Sequence, residues 1–348
     1  MKPTKLVAAA TAALMVSTGA FAQVNLTAET ASPGGATHLA PSHLTEVAGK
    51  QGIANIQLTD GQTLTNSIQN VAEGKTDIAS TPHILPFLMS RGIGPYGSLG
   101  KEKGAELAGN LRAVYPYTLG IFFLFAYDAK GIKGWDDIKG RKIYNGPPRG
   151  GALNNARAMI QLITGLKDGE GYEGMQINWG QSVQLITGGE PDAIVLPELF
   201  PGSRLTTATS AGKMTGWSMP KAVYDGEAMQ KYMKAPGSAS VEMPMDELKA
   251  KMGDDWTFIS EDGTFRALAT IGGDVVHKDM DEELVYKLVS AYIGTIKELK
   301  AKAPFGETVN FDNPMLGMCG ANVVKYHPGA ARAWRDAGYK LDDCAVAQ

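Results

Sequence analysis

With 348 residues, 44% hydrophobic and 20% charged, the chain has the balance of a folded globular protein and not of a disordered one. Such a length predicts about two domains or lobes. Lys and Arg number 33 against 36 Asp and Glu, a formal charge of −3, so no polybasic surface is available to follow a phosphate backbone and nucleic acid is excluded as a partner.

Lys2 and Lys5 precede an apolar stretch, 6–16, broken only by Thr11, and Ala20-Phe21-Ala22 supplies the small-x-small pattern of a signal-peptide cleavage site. The stretch is too short for a spanning helix, which needs about 20 apolar residues. Residues 1–22 are therefore expected to direct export to the periplasm and to be removed after Ala22, leaving a soluble product. No Cys stands at the cleavage point to carry a lipid.

Residues 24–30 alternate as a strand, Ser32-Pro33-Gly34-Gly35-Ala36-Thr37 reads as a loop, and 38–50 as a helix. A strand at 53–58, the loop Thr59-Asp60-Gly61-Gln62-Thr63, a helix ending near Gly74 and a strand from Asp77 closed by Pro82-His83 follow. The same order returns later: a strand at 141–144, the loop Gly146-Pro147-Pro148-Arg149-Gly150-Gly151-Ala152, a helix with Leu153, Ala156, Ile160 and Ile163 on one face, and a strand at 175–179. Then come Gly180-Gln181-Ser182, a helix to Gly188-Gly189, and a strand at 192–196 closed by Pro197-Glu198. Gly34-Gly35-Ala36 answers Gly150-Gly151-Ala152, and Gly61-Gln62-Thr63 answers Gly180-Gln181-Ser182, at nearly equal spacing.

Strand-helix-strand order predicts parallel α/β sheets, and two such units predict two lobes with a cleft between them. Ligands of open parallel sheets sit outside the carboxyl ends of the strands, where the repeated loops fall. Glycines there allow close backbone approach, and a helix N-terminus offers unpaired N–H donors and about half a positive charge, which suits a carboxylate.

At these residues the chain resembles the TAXI family, solute receptors of tripartite ATP-independent periplasmic (TRAP) transporters. The resemblance is carried by Gly34-Gly35-Ala36-Thr37, Asp60-Gly61-Gln62-Thr63, Gly74-Lys75-Thr76-Asp77 and Val114-Tyr115-Pro116. Its most specific part is the run from Gly131-Ile132 through Asp136-Asp137-Ile138-Lys139-Gly140 to Ile143, and Gly146-Pro147-Pro148-Arg149-Gly150-Gly151-Ala152 follows it. The chain departs from the family where Arg149-Gly150-Gly151-Ala152 replaces Gly-Ser-Gly-Thr and His38-Leu39 replaces a Tyr pair. The resemblance implies a type II periplasmic-binding-protein fold, two α/β lobes that close on a small solute and deliver it to a TRAP permease, with no reaction and no cofactor. It implies a division into residues 23–118 (first lobe), 119–262 (second lobe) and 263–348 (return to the first lobe), with crossings near 119–126 and 265–276 and C-terminal helices at 281–302 and 330–338.

Arg149 opposes the dipole of the helix it precedes, a cost that a bound carboxylate would offset. The candidate ligand residues are Ser32, Gly34, Gly35, Ala36, Thr37, His38, Asp60, Gly61, Gln62, Thr63, Thr81, His83, Tyr117, Pro148, Arg149, Gly150, Gly151, Ala152, Pro197 and Glu198. His83 and Glu198 end corresponding strands and are expected to face each other across the cleft, with His38 nearby. Glu198 either accepts from a ligand or pairs with Arg149. Tyr115 and Tyr117 either line the hinge side of the cleft or belong to the core.

Gly92-Ile93-Gly94-Pro95-Tyr96-Gly97 matches the dinucleotide fingerprint by chance, with no strand before it and Pro95 where a helix should start. There is no Walker A run and no nucleophile elbow, and His38 and His43 are not on one helical face, so no metal site is expected. The acidic run 279–283 reads as a helix first turn. Cys319 and Cys344, an even count in an exported chain, are a disulfide candidate. The other readings are a receptor of an ABC or tricarboxylate-type transporter on the same fold, or an exported hydrolase or transferase using His83 and Glu198 without a nucleophile motif.

Overall fold

The computed structural model describes residues 23–347, so the expected signal peptide lies outside the described residues. The first unit comprises β1 (Val24–Glu29), α1 (Ala36–Lys50), β2 (Ala54–Thr59), α2 (Leu64–Ala72), β3 (Ile78–Pro82), α3 (Ile84–Arg91) and α4 (Gly100–Gly109). A long strand, β4 (Leu111–Tyr127), leads to β5 (Lys142–Tyr144), α5 (Gly151–Thr164), β6 (Glu173–Met175), α6 (Ser182–Thr187), β7 (Ala193–Glu198) and α7 (Ser203–Ala208). Then follow β8 (Met214–Trp217), α8 (Lys221–Tyr224), α9 (Glu227–Met233), β9 (Ser238–Pro244), α10 (Met245–Met252) and β10 (Trp256–Ile259). A second long strand, β11 (Thr264–His277), returns to α11 (Glu282–Gly294), α12 (Ile296–Ala301), β12 (Lys325–Tyr326) and α13 (Pro328–Asp336).

The strands run in the order β2-β1-β3-β11-β4-β7-β5-β6. β1 pairs in parallel with β2 and β3, and β5 in parallel with β6 and β7, so each repeated unit builds its own parallel section of one continuous sheet. β4 and β11 are antiparallel to each other and are shared by both. Their side chains mark the change of lobe. Val114, Tyr115 and Tyr117 of β4 and Val275 and Val276 of β11 lie in the first core, with α1, α11 and α13. Ile121, Phe123 and Phe125 point into one core of the second lobe, and Phe122, Leu124 and Ala126 into another on the opposite face. That alternation, apolar on both sides, explains why 121–127 is an unbroken hydrophobic run: this half of β4 is covered on both faces. The result is two α/β lobes joined by two crossing strands.

At the crossing the strands approach too closely for a side chain. A Cβ on Gly272 would lie 2.2 Å from Thr81 O, and one on Gly273 would lie 2.3 Å from Tyr115 O. Register shifts at Thr270/Ile271 and Asp274/Val275 bracket the two glycines.

Two local expectations shift. The strand expected at 175–179 is β6, Glu173–Met175, because its partner β5 ends at Tyr144 and turns into the Gly146 loop; Trp179–Gln181 is a helical turn instead. The C-terminal helix expected at 281–302 is broken at Thr295 into α11 and α12. Asp281 caps α11 by accepting from Leu284 N at 2.8 Å. Cys319 and Cys344 are bridged, with Cα atoms 5.4 Å apart, which ties the tail to the segment before β12 and restricts the unfolded chain. Among the described residues no helix is long and apolar enough to cross a membrane.

Candidate functional site

The loops after β1 and β2 meet. Gln62 N donates to Thr30 O at 2.8 Å, and His38 Nε2 lies 3.7 Å from Asp60 Oδ2 while its Nδ1 is 3.3 Å from Ser42 Oγ. Asp60, Gly61, Gln62 and Thr63 are exposed; Ser32, Gly35, Thr37 and His38 are half-buried, Gly34 is exposed and Ala36 is buried as the first residue of α1. Thr81 is buried at the end of β3. His38 thus finds its partner in the neighbouring loop of its own lobe.

In the second lobe, Gly150 caps α5 with φ 107°, and Gly151 and Ala152 form its half-buried first turn. A Cβ on Gly151 would lie 3.7 Å from Ile84 of α3, so this loop abuts the first lobe. Pro148 and Arg149 are exposed, and among the described residues Arg149 has no ion-pair partner. Pro197 packs on the crossing strand, where a Cβ on Gly120 would come within 2.7 Å of it. Ser203 Oγ, at the start of α7, donates to Gly34 O at 3.3 Å and bridges the lobes beside the first glycine loop.

Glu198 does not pair with Arg149. It is 3% exposed and accepts from Arg204 Nε at 2.5 Å. Arg204 also donates to Pro197 O at 3.1 Å and stacks over the Trp179 ring at 4.9 Å. Burial pushes the Glu198 carboxyl above its usual range, and the Arg204 guanidinium opposes that rise.

His83 is not open to the cleft: it is fully buried, and its backbone N–H donates to Ile271 O at 3.1 Å. Asn322 Nδ2 lies 3.3 Å from His83 Nδ1 and donates to Gly317 O at 2.9 Å. The other ring nitrogen, Nε2, has no partner among the described residues. Burial lowers the imidazole to about 4. A base held neutral on folding keeps full stability above its unfolded value and loses it as pH falls from about 6.5 to about 4, a loss of about 3 kcal/mol. Burial lowers His43 and His327 with the same sign. His83→Gln should therefore flatten the acid limb: urea unfolding at pH 7 and pH 4.5 should show the wild type losing more stability than the variant, and equal losses would refute this assignment.

Tyr115 and Tyr117 are also fully buried, in the core of the first lobe, so Tyr117 lines no cleft wall here. Both hydroxyls donate to Asp274, Tyr115 at 2.8 Å and Tyr117 at 2.6 Å. Asp274 is the residue the sequence reading missed most clearly, although a lone carboxylate in the apolar run of β11 was a visible signal. Arg204, six residues past a strand-ending Glu, was another. Asn155, on the inner face of α5, donates to Thr270 Oγ1 at 3.1 Å and accepts from Tyr232 at 2.8 Å, a contact no local pattern announces.

Two surface grooves lie elsewhere. One of about 400 Å³, lined by Gln51, Lys287 and Ser290, sits at the far end of α1 from its glycine loop. Another of about 350 Å³ lies along α13. The metal-like grouping of Cys319, Asp342 and Cys344 has both sulfurs consumed by the disulfide.

Two α/β lobes, with their strand-end loops meeting beside two shared strands, form a bilobed α/β fold. No family model and no curated protein matches the chain. Among solved structures it is similar to a periplasmic sulfonate-binding protein, SsuA, from Methylobacillus flagellatus KT, at 12% identity over 90% of this chain and 95% of that one, TM-score 0.48. It is also similar to a TRAP periplasmic solute binding protein from Ralstonia eutropha H16 holding (S)-2-acetolactate, at 13% identity over 92% and 86%, TM-score 0.42. A third is DctP7, a Bordetella pertussis extracytoplasmic solute receptor binding pyroglutamic acid, at 12% identity over 90% and 93%, TM-score 0.42.

Proposed function

We propose that the chain is an exported, non-catalytic solute receptor that captures a small carboxylate-bearing molecule, an amino acid or organic acid, between its lobes and delivers it to a TRAP-type permease. The observation that carries this reading is the pairing of two long helices, α1 and α5, each opening at a glycine loop beside the junction of the lobes, with the unpaired cation Arg149 next to the second. Their N–H donors and the guanidinium suit an anion, and the contacts at Ser203–Gly34 and Gly151–Ile84 suit closure. In this reading the first lobe is 23–118 with 263–348, the second is 119–262, and residues 1–22 are the export signal. Ser32, Gly34 to His38, Asp60 to Thr63, Thr81 and Pro148 to Ala152 surround the solute, with Pro197 and Glu198 behind it.

A thermal-shift screen of residues 23–348 against amino acids, keto acids, dicarboxylates and sugar acids tests this. A carboxylate at 100 times its Kd should add about 2.7 kcal/mol of stability. Arg149→Ala should then weaken that carboxylate by about 1.5–3 kcal/mol, the range for losing a charged hydrogen-bond partner. Absence of any shift in folded, ligand-free protein refutes the acid-binding cleft, and unchanged affinity in Arg149→Ala removes that residue from it.

A further inference from the structure

The first turn of α1 lacks a bond that a regular helix makes. The carbonyl of Thr37 should accept from the backbone N–H four residues on, but that residue is Pro41, which has none. Two side chains take up the freed oxygen: Thr30 Oγ1 donates to it, and Ser80 Oγ, from β3, lies 2.9 Å away. Ser80 Oγ is also 2.7 Å from Asp274 Oδ1, the carboxylate that holds the hydroxyls of Tyr115 and Tyr117. Thr30, Ser80, Tyr115, Tyr117 and Asp274 are all buried. The start of α1 is thereby joined to both crossing strands, to β11 through Asp274 and to β4 through the two tyrosines.

This linkage has a directional consequence. A proline inside a helix ordinarily destabilises it through the lost bond and ring clash, and here the lost bond is replaced by side chains from other elements. The angle of the first turn is then set by the sheet and not by the helix itself. Buried polar groups that are fully paired favour one arrangement over its neighbours, because any slip leaves a donor or acceptor unsatisfied. Ser80 has one proton and two acceptors, Thr37 O and Asp274 Oδ1, so a shift of the carboxylate is felt directly at the carbonyl.

We infer that Ser80 is a positioning residue for the glycine loop at 34–37: held in place by Asp274, it helps Thr30 grip the Thr37 carbonyl that Pro41 leaves free and so aims the first turn of α1. Only the use of that loop for a solute rests on the receptor reading; the grip does not.

Hydrogen exchange of the ligand-free mature chain separates the two. In the wild type His38 N and Leu39 N donate to Gly35 O at 3.2 and 3.0 Å, so their exchange reports the first turn. Ser80→Ala should speed exchange at His38 and Leu39 roughly tenfold while amides of β1 and β2 exchange as before. Adding Pro41→Ala to Ser80→Ala gives Thr37 O a backbone donor again and should return that exchange toward the wild-type rate. Unchanged exchange in Ser80→Ala, a uniform rise across the first lobe, or no recovery in the double variant would each overturn the proposal. A screen in which no carboxylate binds would sink the receptor reading and leave this result standing.

Discussion

Asp274→Ala is expected to lower unfolding stability by about 3–5 kcal/mol at pH 7, because it strips the carboxylate acceptor from the buried hydroxyls of Tyr115 and Tyr117 and one of the two acceptors of Ser80. Tyr115, Tyr117 and Ser80 all point to this carboxylate, at 2.8, 2.6 and 2.7 Å. Tyr115 is further pinned by stacking on Tyr292 with ring centroids 3.7 Å apart, so it cannot swing away to find water. Asp274→Asn should cost much less, since the amide oxygen accepts from one tyrosine and the amide nitrogen donates to Ser80 Oγ. The pH dependence has a defined sign. Burial raises the Asp274 carboxyl above its usual range, with the three hydroxyls acting against that rise, so the folded protein takes up a proton before the unfolded chain does. The gap between wild type and Asp274→Ala should therefore widen as pH falls from neutral toward the ordinary carboxylate range. Denaturant unfolding of the three proteins at pH 7 and pH 5 checks this, and an Ala variant no worse than Asn would refute it.

Arg204→Ala is expected to cost about 3 kcal/mol, at the lower end for breaking a buried pair because Arg204 is itself 22% exposed. What remains is the Glu198 carboxylate, 3% exposed and without its cation. Replacing both residues by Leu should cost less than removing Arg204 alone, because no uncompensated charge is left behind. Arg204→Lys should not restore the wild type: an ammonium cannot hold Glu198 and Pro197 O together while stacking flat on Trp179. The cost of Arg204→Ala should shrink as pH falls, since Glu198 then folds protonated. Thermal unfolding of the single and double variants between pH 5 and pH 8 measures this, and equal stabilities for Arg204→Ala and the double variant would count against it.

Much of the framework was legible locally. The alternation at 24–30, the apolar face at Leu153, Ala156 and Ile160, and the glycine loops before α1 and α5 are short-range signals, and the elements fall where those signals are. The matching order of loops in two segments revealed two similar units before any contact was known. The candidate site was legible only as loops. His83 and Glu198 end equivalent strands, yet each is sealed by partners far away in sequence or on another element: Asn322 and Ile271 for His83, Arg204 and Trp179 for Glu198. Tyr117 belongs to the core because Asp274, brought in by the returning strand β11, takes its hydroxyl.

By itself the sequence determined what depends on neighbours along the chain: strand and helix periodicity, turns that need glycine, the Pro41 that empties one helical bond, and the even pair of cysteines. Only the tertiary structure decided which buried polar groups meet. Hydrogen bonds and ion pairs between distant segments depend on how the two long strands cross, and at Gly272 and Gly273 that crossing is set by backbone contact too close for any side chain. Asp274 joins Ser80 and Tyr115, and Ser203 reaches Gly34, because folding brings together groups whose sequence positions carry no mutual signal.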